Sequence, residues 1–337
     1  MRKSNPVILA IETSCDETAA AVISNGKIAS NVVATQAVHA QYGGIVPELA
    51  SRAHQQHLVP VVRQAMQQAN IAQAELDAVA FTQGPGLLGA LLVGTAFAKS
   101  VAFALDIPLI AIHHMRAHIL ANFIEEPYPT FPLLGLTASG GHTQIVLVKD
   151  HLCMEVIGTT QDDAIGEAFD KIGKLMDLPY PAGPLIDQYA QKGDPQCFQF
   201  PSTNVPHLDF SFSGIKTAFL YFLREQQKKD AQFVAKHRDD LCASIQTTLI
   251  SMLLQKLKDA IAQTGIKIVA VAGGVAANSG LRSQLKQLAE QEGWEVFMPQ
   301  LAYCTDNAAM IAITAYYQYL AGDFCNLRVT ARPRMSL

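Results

Sequence analysis

The sequence predicts a two-domain α/β protein made of duplicated halves, and three observations lead there. A chain of 337 residues, half of them hydrophobic and only 16% charged, is long enough to bury two cores of ordinary size. Apolar strand-like runs alternate with amphipathic helical runs along most of it. Finally, residues 7–24 (VILAIETSCDETAAAVIS) and 133–149 (LLGLTASGGHTQIVLVK) each read as apolar strand, polar Ser/Thr/Gly turn, apolar strand. A shift of 125 positions lays Leu9 on Leu134, Ile11 on Leu136, Ser14 on Ser139, Thr18 on Thr143 and Val22 on Leu147.

In the first half, strands are expected at 7–12, 17–24 and 27–35. A helix should follow from Pro47 to about Ala69, because proline suits a first helical turn, while Pro60 should kink or split it. A strand at 76–82, an apolar helix at 87–105 and a strand at 108–112 complete this half. The apolar helix reaches the length of a membrane span. It lies between two strand-like runs, LDAVAFT and IPLIAI, and carries Gly89 and Gly94, which suit close packing on a sheet, so a buried helix is expected and no membrane.

The second half should begin with strands at 133–138, 142–149 and 153–158. The helix DDAIGEAFDKIGKLM comes next, with Ala164, Ile165, Ala168, Phe169, Ile172, Leu175 and Met176 as its apolar face. Helices are expected near 184–192, 213–227 and 239–264, then strand KIVAVA leading through AGGVAAN into a helix, strand WEVFMP, and a last helix from Thr305. Duplicated halves opened by polar hairpin loops are the layout of the actin-like (ASKHA) fold, two RNase H-like α/β domains with a nucleotide cleft between them. The expected division is 1–112 plus about 305–337 for the first domain, and 113–304, with helical insertions, for the second.

A formal net charge of −4 argues against coating nucleic acid or an anionic membrane by bulk electrostatics, so any RNA must be held by a local patch. Arg52, Arg116, Lys171, Lys174 and Lys216 are the candidates for that patch. The six cysteines are scattered without a C-x-x-C pair, which suits a reducing compartment, and the first apolar run is too short for a signal peptide. A cytoplasmic protein is expected.

Several groups carry chemistry. His114 and His118 in HHMRAH are four apart, on one face of a helix if one forms, and they follow strand IPLIAI at the carboxyl edge of a sheet. A carboxylate would complete a metal site, and Asp306, behind a Thr305 cap at the start of the last helix, is the best candidate. Two histidines and one carboxylate leave positions open for substrate and suit Fe(II) or Zn. A zinc-peptidase would need glutamate directly after the first histidine, where this chain has Met115. A pair of surface histidines is the alternative.

Consecutive glycines in ASGGHT (138–143) and AGGVAAN (272–278) allow backbone N–H groups to face an anion; a plain hairpin turn would also use Gly140 and Gly141. Asn278 offers amide contacts to a nucleoside or caps a helix. Asp170 falls off its helix's apolar stripe, available to a ribose or to Lys174. Gly183 and Asp187 follow in YPAGPLID.

These segments, with GGIVPELASRAH, GPGLLGALLVG, FSFSGIKT, VAGGVAANSGLR and CTDNAAMIA, resemble the bacterial TsaD (Gcp) family in order and from residue 8 to about 334. The resemblance implies transfer of threonylcarbamoyl from threonylcarbamoyl-AMP to the exocyclic amine of adenosine 37 in tRNAs reading codons that begin with A, releasing AMP. It implies one Fe(II) per subunit, sometimes Zn, held by His114, His118 and Asp306. It also implies substrate contacts from Thr137, Ala138, Ser139, Gly140, Gly141, Asp170, Gly183, Asp187 and Asn278, with ATP or ADP as other occupants of the cleft. The family's loop often reads L-V-S-G-G, so this chain departs at positions 137 and 138. TsaB, TsaE, tRNA and an upstream threonylcarbamoyl-AMP synthase are the implied partners. The competing readings are an ATP-dependent kinase or ATPase of the same fold, with Asp16 as its catalytic aspartate, and a non-catalytic binding subunit.

Overall fold

The computed structural model describes residues 3–203 and 205–337 and divides into two compact units. The first runs through Tyr128 and takes in Lys149–Met154 and Pro299–Leu337; the second is Pro129–Val148 with Glu155–Met298.

In the first unit, β1 (Val7–Glu12), β2 (Glu17–Ser24) and β3 (Lys27–Thr35) form an antiparallel meander, followed by α1 (Pro47–Ala69), β4 (Ala78–Gly84), α2 (Leu88–Leu105), β5 (Leu109–His113) and α3 (His114–Leu120). The sheet order is β3-β2-β1-β4-β5, with β1, β4 and β5 mutually parallel, so Glu12, Gly84 and His113 end on one edge. Alternation along β1 sends Leu9 and Ile11 into clusters with Val61 and Ala65, and with Leu58 and Ala98, of α1 and α2. Glu12, one step on, faces the other way.

The second unit contains β6 (Leu133–Ala138), β7 (Thr143–Val148), β8 (Met154–Thr159), α4 (Ile165–Leu175), α5 (Gly183–Ala190), α6 (Ser213–Lys229), α7 (Phe233–Lys236), α8 (Arg238–Thr264), β9 (Ile268–Ala272), α9 (Ser279–Glu292) and β10 (Glu295–Phe297). Its order, β10-β9-β6-β7-β8, is that of the first sheet with β6 in the place of β1: an antiparallel hairpin partner on one side, parallel strands on the other. The chain is thus mixed α/β with two five-stranded sheets.

Several expectations are corrected. The boundaries fall at 128/129 and 298/299 rather than at 112/113 and 304/305. The reason is packing: α3 lies against α10 (Ala308–Ala321), and His151 stacks on Tyr317 at 3.6 Å between ring centroids, drawing 149–154 into the first unit. Pro60 does not split α1, which runs unbroken because Pro60 and Gln56, whose carbonyl loses its donor, are both exposed to water. The last helix starts at Ala308 with Asn307, not Thr305, as its cap: the Asn307 side chain accepts from Met310 N at 3.1 Å.

The apolar helix α2 is long and apolar enough to cross a membrane, but Ala90, Leu91, Gly94, Thr95, Ala98 and Ala102 are buried in its own unit. Gly94 and Gly89 permit this approach, since a Cβ would lie 2.3 Å from Thr13 Oγ1 and from Ser51 Oγ respectively. The opposite face leaves Leu88, Leu92 and Phe103 exposed.

Candidate functional site

The strongest cluster lies in the first unit, on the edge where β1 and β5 end. Strand β5 passes directly into α3, and His113 caps that helix by accepting from Met115 N at 3.2 Å. That start sets His114 and His118 one turn apart, with their rings edge to face at 4.6 Å. Asp306 reaches them from just before the Asn307 cap, itself anchored because Ala309 N donates to Asn31 Oδ1 of β3. His118 Nε2 is 3.1 Å from His114 Nε2 and 3.0 Å from Asp306 Oδ1, and His114 Nε2 is 3.4 Å from the same oxygen. All three donor atoms lie within 4.8 Å of one another.

Behind His114 is a second layer that the spacing argument missed. Glu12 is fully buried at the end of β1, and its Oε2 lies 3.2 Å from His114 Nδ1. Thr82 Oγ1 donates to the same oxygen, Ser14 N donates to Oε1, and Ser14 Oγ is 3.3 Å from His114 Nδ1. The signal was present in the sequence: a glutamate closing a strand that is otherwise entirely apolar.

The electrostatics of this centre favour a cation. Burial pushes the Glu12 and Asp306 carboxyls up, but the histidine partners outweigh it and hold both below the ordinary carboxylate range. His114 is correspondingly lifted well above its ordinary value, against the pull of burial, by Asp306 and then Glu12. With Nδ1–H donating to Glu12, His114 turns Nε2 toward Asp306 and His118, so a metal that displaced the Nε2 proton would meet the orientation found for metal-bound histidines with a carboxylate behind them. The donor set, two imidazoles and one carboxylate oxygen backed by a second anion, therefore fits a divalent transition metal. Nearby, Glu17 is pushed up to about 10 by burial and then by Asp306 and Asp16.

The remaining candidates lie in the second unit. Thr137 and Ala138 are buried at the end of β6, with Thr137 Oγ1 donating to Gln144 O. Ser139 closes its own hairpin, its N donating to His142 O at 2.9 Å and its Oγ accepting from His142 N at 3.1 Å. Gly140 and Gly141 are exposed, neither has positive φ, and a Cβ on either would touch nothing, so their value is open access to the backbone rather than a strained turn. The backbone just before them is tightly seated: a Cβ on Gly166 would lie 2.7 Å from Ser139 O, and one on Gly273 (φ +89°) 2.4 Å from Ala138 O.

Asp170, Gly183, Asp187 and Asn278 join neighbouring helices. Asp170 Oδ1 accepts from Ala182 N at 2.8 Å and Gly183 N at 3.3 Å, tying α4 to the start of α5, rather than from Lys174; burial raises its carboxyl against those donors. Asp187 receives Ser279 N and Oγ, and Asn278 caps α9 by accepting from Leu281 N at 2.9 Å while its Nδ2 donates to Gln246. The helix after AGGVAAN thus begins at Ser279, beyond a short turn at Gly274–Ala277, and the N–H groups of Ser279 and Leu281 are already taken. The expected basic patch is also weaker than its sequence suggests, since Lys171 pairs with Asp163 at 2.7 Å and Glu167 at 2.9 Å.

Comparison with known proteins adds a family. The profile of TsaD, described as tRNA N6-adenosine threonylcarbamoyltransferase, matches residues 27–313. A protein of that name from Christiangramia forsetii is 61% identical over 330 residues, covering 97% of both chains, and one from Cytophaga hutchinsonii is 58% identical over 98% of this chain and 96% of its own. Among solved structures, full-length HypF in a phosphate- and nucleotide-bound form is similar at TM-score 0.65 and 13% identity, over 96% of this chain and 48% of HypF. The component A of the Acidaminococcus fermentans (R)-2-hydroxyglutaryl-CoA dehydratase is similar at TM-score 0.55 and 14% identity, over 93% and 99%. These two show likeness of fold.

Proposed function

The chain belongs to the TsaD family, tRNA N6-adenosine threonylcarbamoyltransferase, and on that premise we propose that it transfers the threonylcarbamoyl group of threonylcarbamoyl-AMP to the exocyclic amine of adenosine 37 in tRNAs reading codons that begin with A, releasing AMP. The observation that carries this reading beyond the family is the convergence of His114, His118 and Asp306 with no glutamate directly after the first histidine. Residue 115, where a hydrolytic metal site would place glutamate, is a buried methionine.

His114, His118 and Asp306 would hold one Fe(II), with Zn as a substitute. When bound, the metal would supply Lewis-acid polarisation of the threonylcarbamoyl group. The mixed carboxylic–phosphoric anhydride already carries a good leaving group, AMP, so the chain has no need of an activated water, and a base poised to make one would hydrolyse the intermediate. Glu12 orients His114, and Met115 puts no proton acceptor at position 115.

In the second unit, the accessible Gly140 and Gly141 backbone is our candidate for the substrate's anionic groups, with Thr137, Ala138 and Ser139 fixing its position. Asp170, Gly183, Asp187 and Asn278 are the candidate ribose and base contacts, and ATP or ADP would use the same groups. The identical strand order of the two sheets supports reading them as duplicated RNase H-like domains of an actin-like (ASKHA) fold. TsaB and TsaE are the proposed partners for repeated turnover, a threonylcarbamoyl-AMP synthase the upstream enzyme, and the cytoplasm the compartment. The kinase reading has no use for the histidine–aspartate convergence.

The test is incubation with threonine, bicarbonate, ATP, the synthase, the two partners and tRNA, followed by nucleoside analysis. Threonylcarbamoyladenosine that forms only when this chain is present supports the proposal; its absence in the complete mixture refutes it.

A further inference from the structure

A protein of net charge −4 must grip RNA locally, yet Lys171, one of the basic residues in the substrate-loop motifs, is neutralised by acids. The end of the chain differs. Residues 326–335 read NLRVTARPRM, three arginines and no acidic residue.

The structure seats this segment by its main chain. Arg332 N donates to Gln83 O at 2.8 Å, Gln83 Nε2 to Thr330 O at 2.9 Å and Gly86 N to Pro333 O at 3.2 Å, while His113 Nε2 lies 3.3 Å from Met335 O. Gly84 is required here: a Cβ on it would fall 1.8 Å from Arg332 O. Main-chain docking leaves the side chains of Arg328, Arg332 and Arg334 exposed, and among the described residues none of the three is paired with an acid.

The anchors adjoin the proposed metal centre. Gly86 packs on Ser14, where a Cβ would lie 2.6 Å from Ser14 O, and Ser14 Oγ is 3.3 Å from His114 Nδ1. His113, which holds the far end of the segment, immediately precedes His114.

We propose that this carboxyl-terminal strap is a contact surface for the sugar–phosphate backbone of the tRNA substrate, with Arg328, Arg332 and Arg334 as its phosphate-binding groups. This rests on the tRNA-modifying function proposed above. Guanidinium suits the task because its planar fork matches phosphate geometry and is weakly hydrated. The six residue steps from Arg328 to Arg334 span at most about 20 Å, room for several successive phosphates. The strap carries no means of reading bases; it positions the backbone beside the centre where the amine reacts.

The experiment is the KM for tRNA as a function of salt in the complete reaction, comparing the native chain with R328A/R332A/R334A and with R328K/R332K/R334K. The alanine variant should raise the tRNA KM about tenfold near physiological salt and lower the log–log salt slope by roughly one per arginine removed. The loss should sit in KM rather than kcat, and the lysine variant should recover most of it. An alanine variant with native KM and salt slope overturns the proposal, as does a loss confined to kcat or one that lysine does not recover, since those assign the arginines to packing. A native chain that makes no threonylcarbamoyladenosine refutes the functional reading itself and is seen before any variant is compared.

Discussion

The hairpin loop after β1 in the first unit and the one after β6 in the second occupy the same position in the same strand order, and they present opposite surfaces. In the first, Ser14 and the preceding Glu12 turn their polar atoms onto His114, which with His118 and Asp306 forms a buried cluster of converging donors. In the second, Ser139 hydrogen-bonds within its own hairpin and Gly140 and Gly141 show bare backbone to solvent. Side chains that converge without a cation carry excess negative charge; a backbone loop already satisfied carries none. The lesson is that one topology supports both a buried cluster of converging side chains and an open backbone turn, depending on whether its loops project side chains or main chain.

The largest way to break this contrast is His118→Ala. It removes a donor from the cage and should lose the metal and reduce transfer by about a thousandfold, given the several kcal/mol a Lewis acid contributes. Metal content and threonylcarbamoyladenosine yield, measured on the same preparation, check it.

Acid should separate the units next. The buried histidines among the described residues, His39, His54, His113, His114 and His118, all belong to the first unit. His113 is lowered to about 4, chiefly by burial, partly opposed by its bond to Met335 O. Because its folded value lies below the unfolded value of 6.5, its contribution is fully present above pH 6.5 and fades as pH falls toward 4, by up to roughly 3 kcal/mol. His114, raised by Asp306 and Glu12, works in the opposite direction. His113→Asn keeps a cap acceptor without the titration, so denaturant unfolding of this variant should be flatter than the native protein's between pH 6.5 and 4.

How much of this was legible beforehand follows the physics of each signal. Strand and helix positions came through because hydrophobic period is a local property, and His114, His118 and Asp306 came through because an i, i+4 pair and a helix start are local too. Pro60 misled, since whether a proline breaks a helix depends on which face meets water. Asn278 read as a nucleoside contact or a helix cap, and the fold shows the cap; that Asp187 also holds the start of α9 depends on a contact 92 residues away and was not legible. A lone glutamate closing an apolar strand marked Glu12, but its pairing with His114 and the seating of the arginine strap on β4 were not legible, because Glu12 and His114 are 102 residues apart and Gln83 and Thr330 are 247 apart.

Smaller effects sharpen the comparison. Glu12→Gln keeps shape but removes the anion behind His114, and should weaken metal affinity by about 10- to 100-fold. Competition with a chelator reads this directly. Asn278→Ala, in the second unit, should cost about 1 kcal/mol of stability through the lost cap without changing metal affinity at all. Thermal unfolding and the same chelator competition test the two halves of that statement.

The central claim, that the first unit is a cage for one divalent metal, is tested most directly by metal analysis combined with anomalous scattering from crystals of the native chain. The account predicts one transition-metal ion per chain, with the anomalous peak bounded by His114 Nε2, His118 Nε2 and Asp306 Oδ1. Full transfer activity from protein stripped of metal, or a peak bound elsewhere while these three residues remain paired to one another, would contradict it.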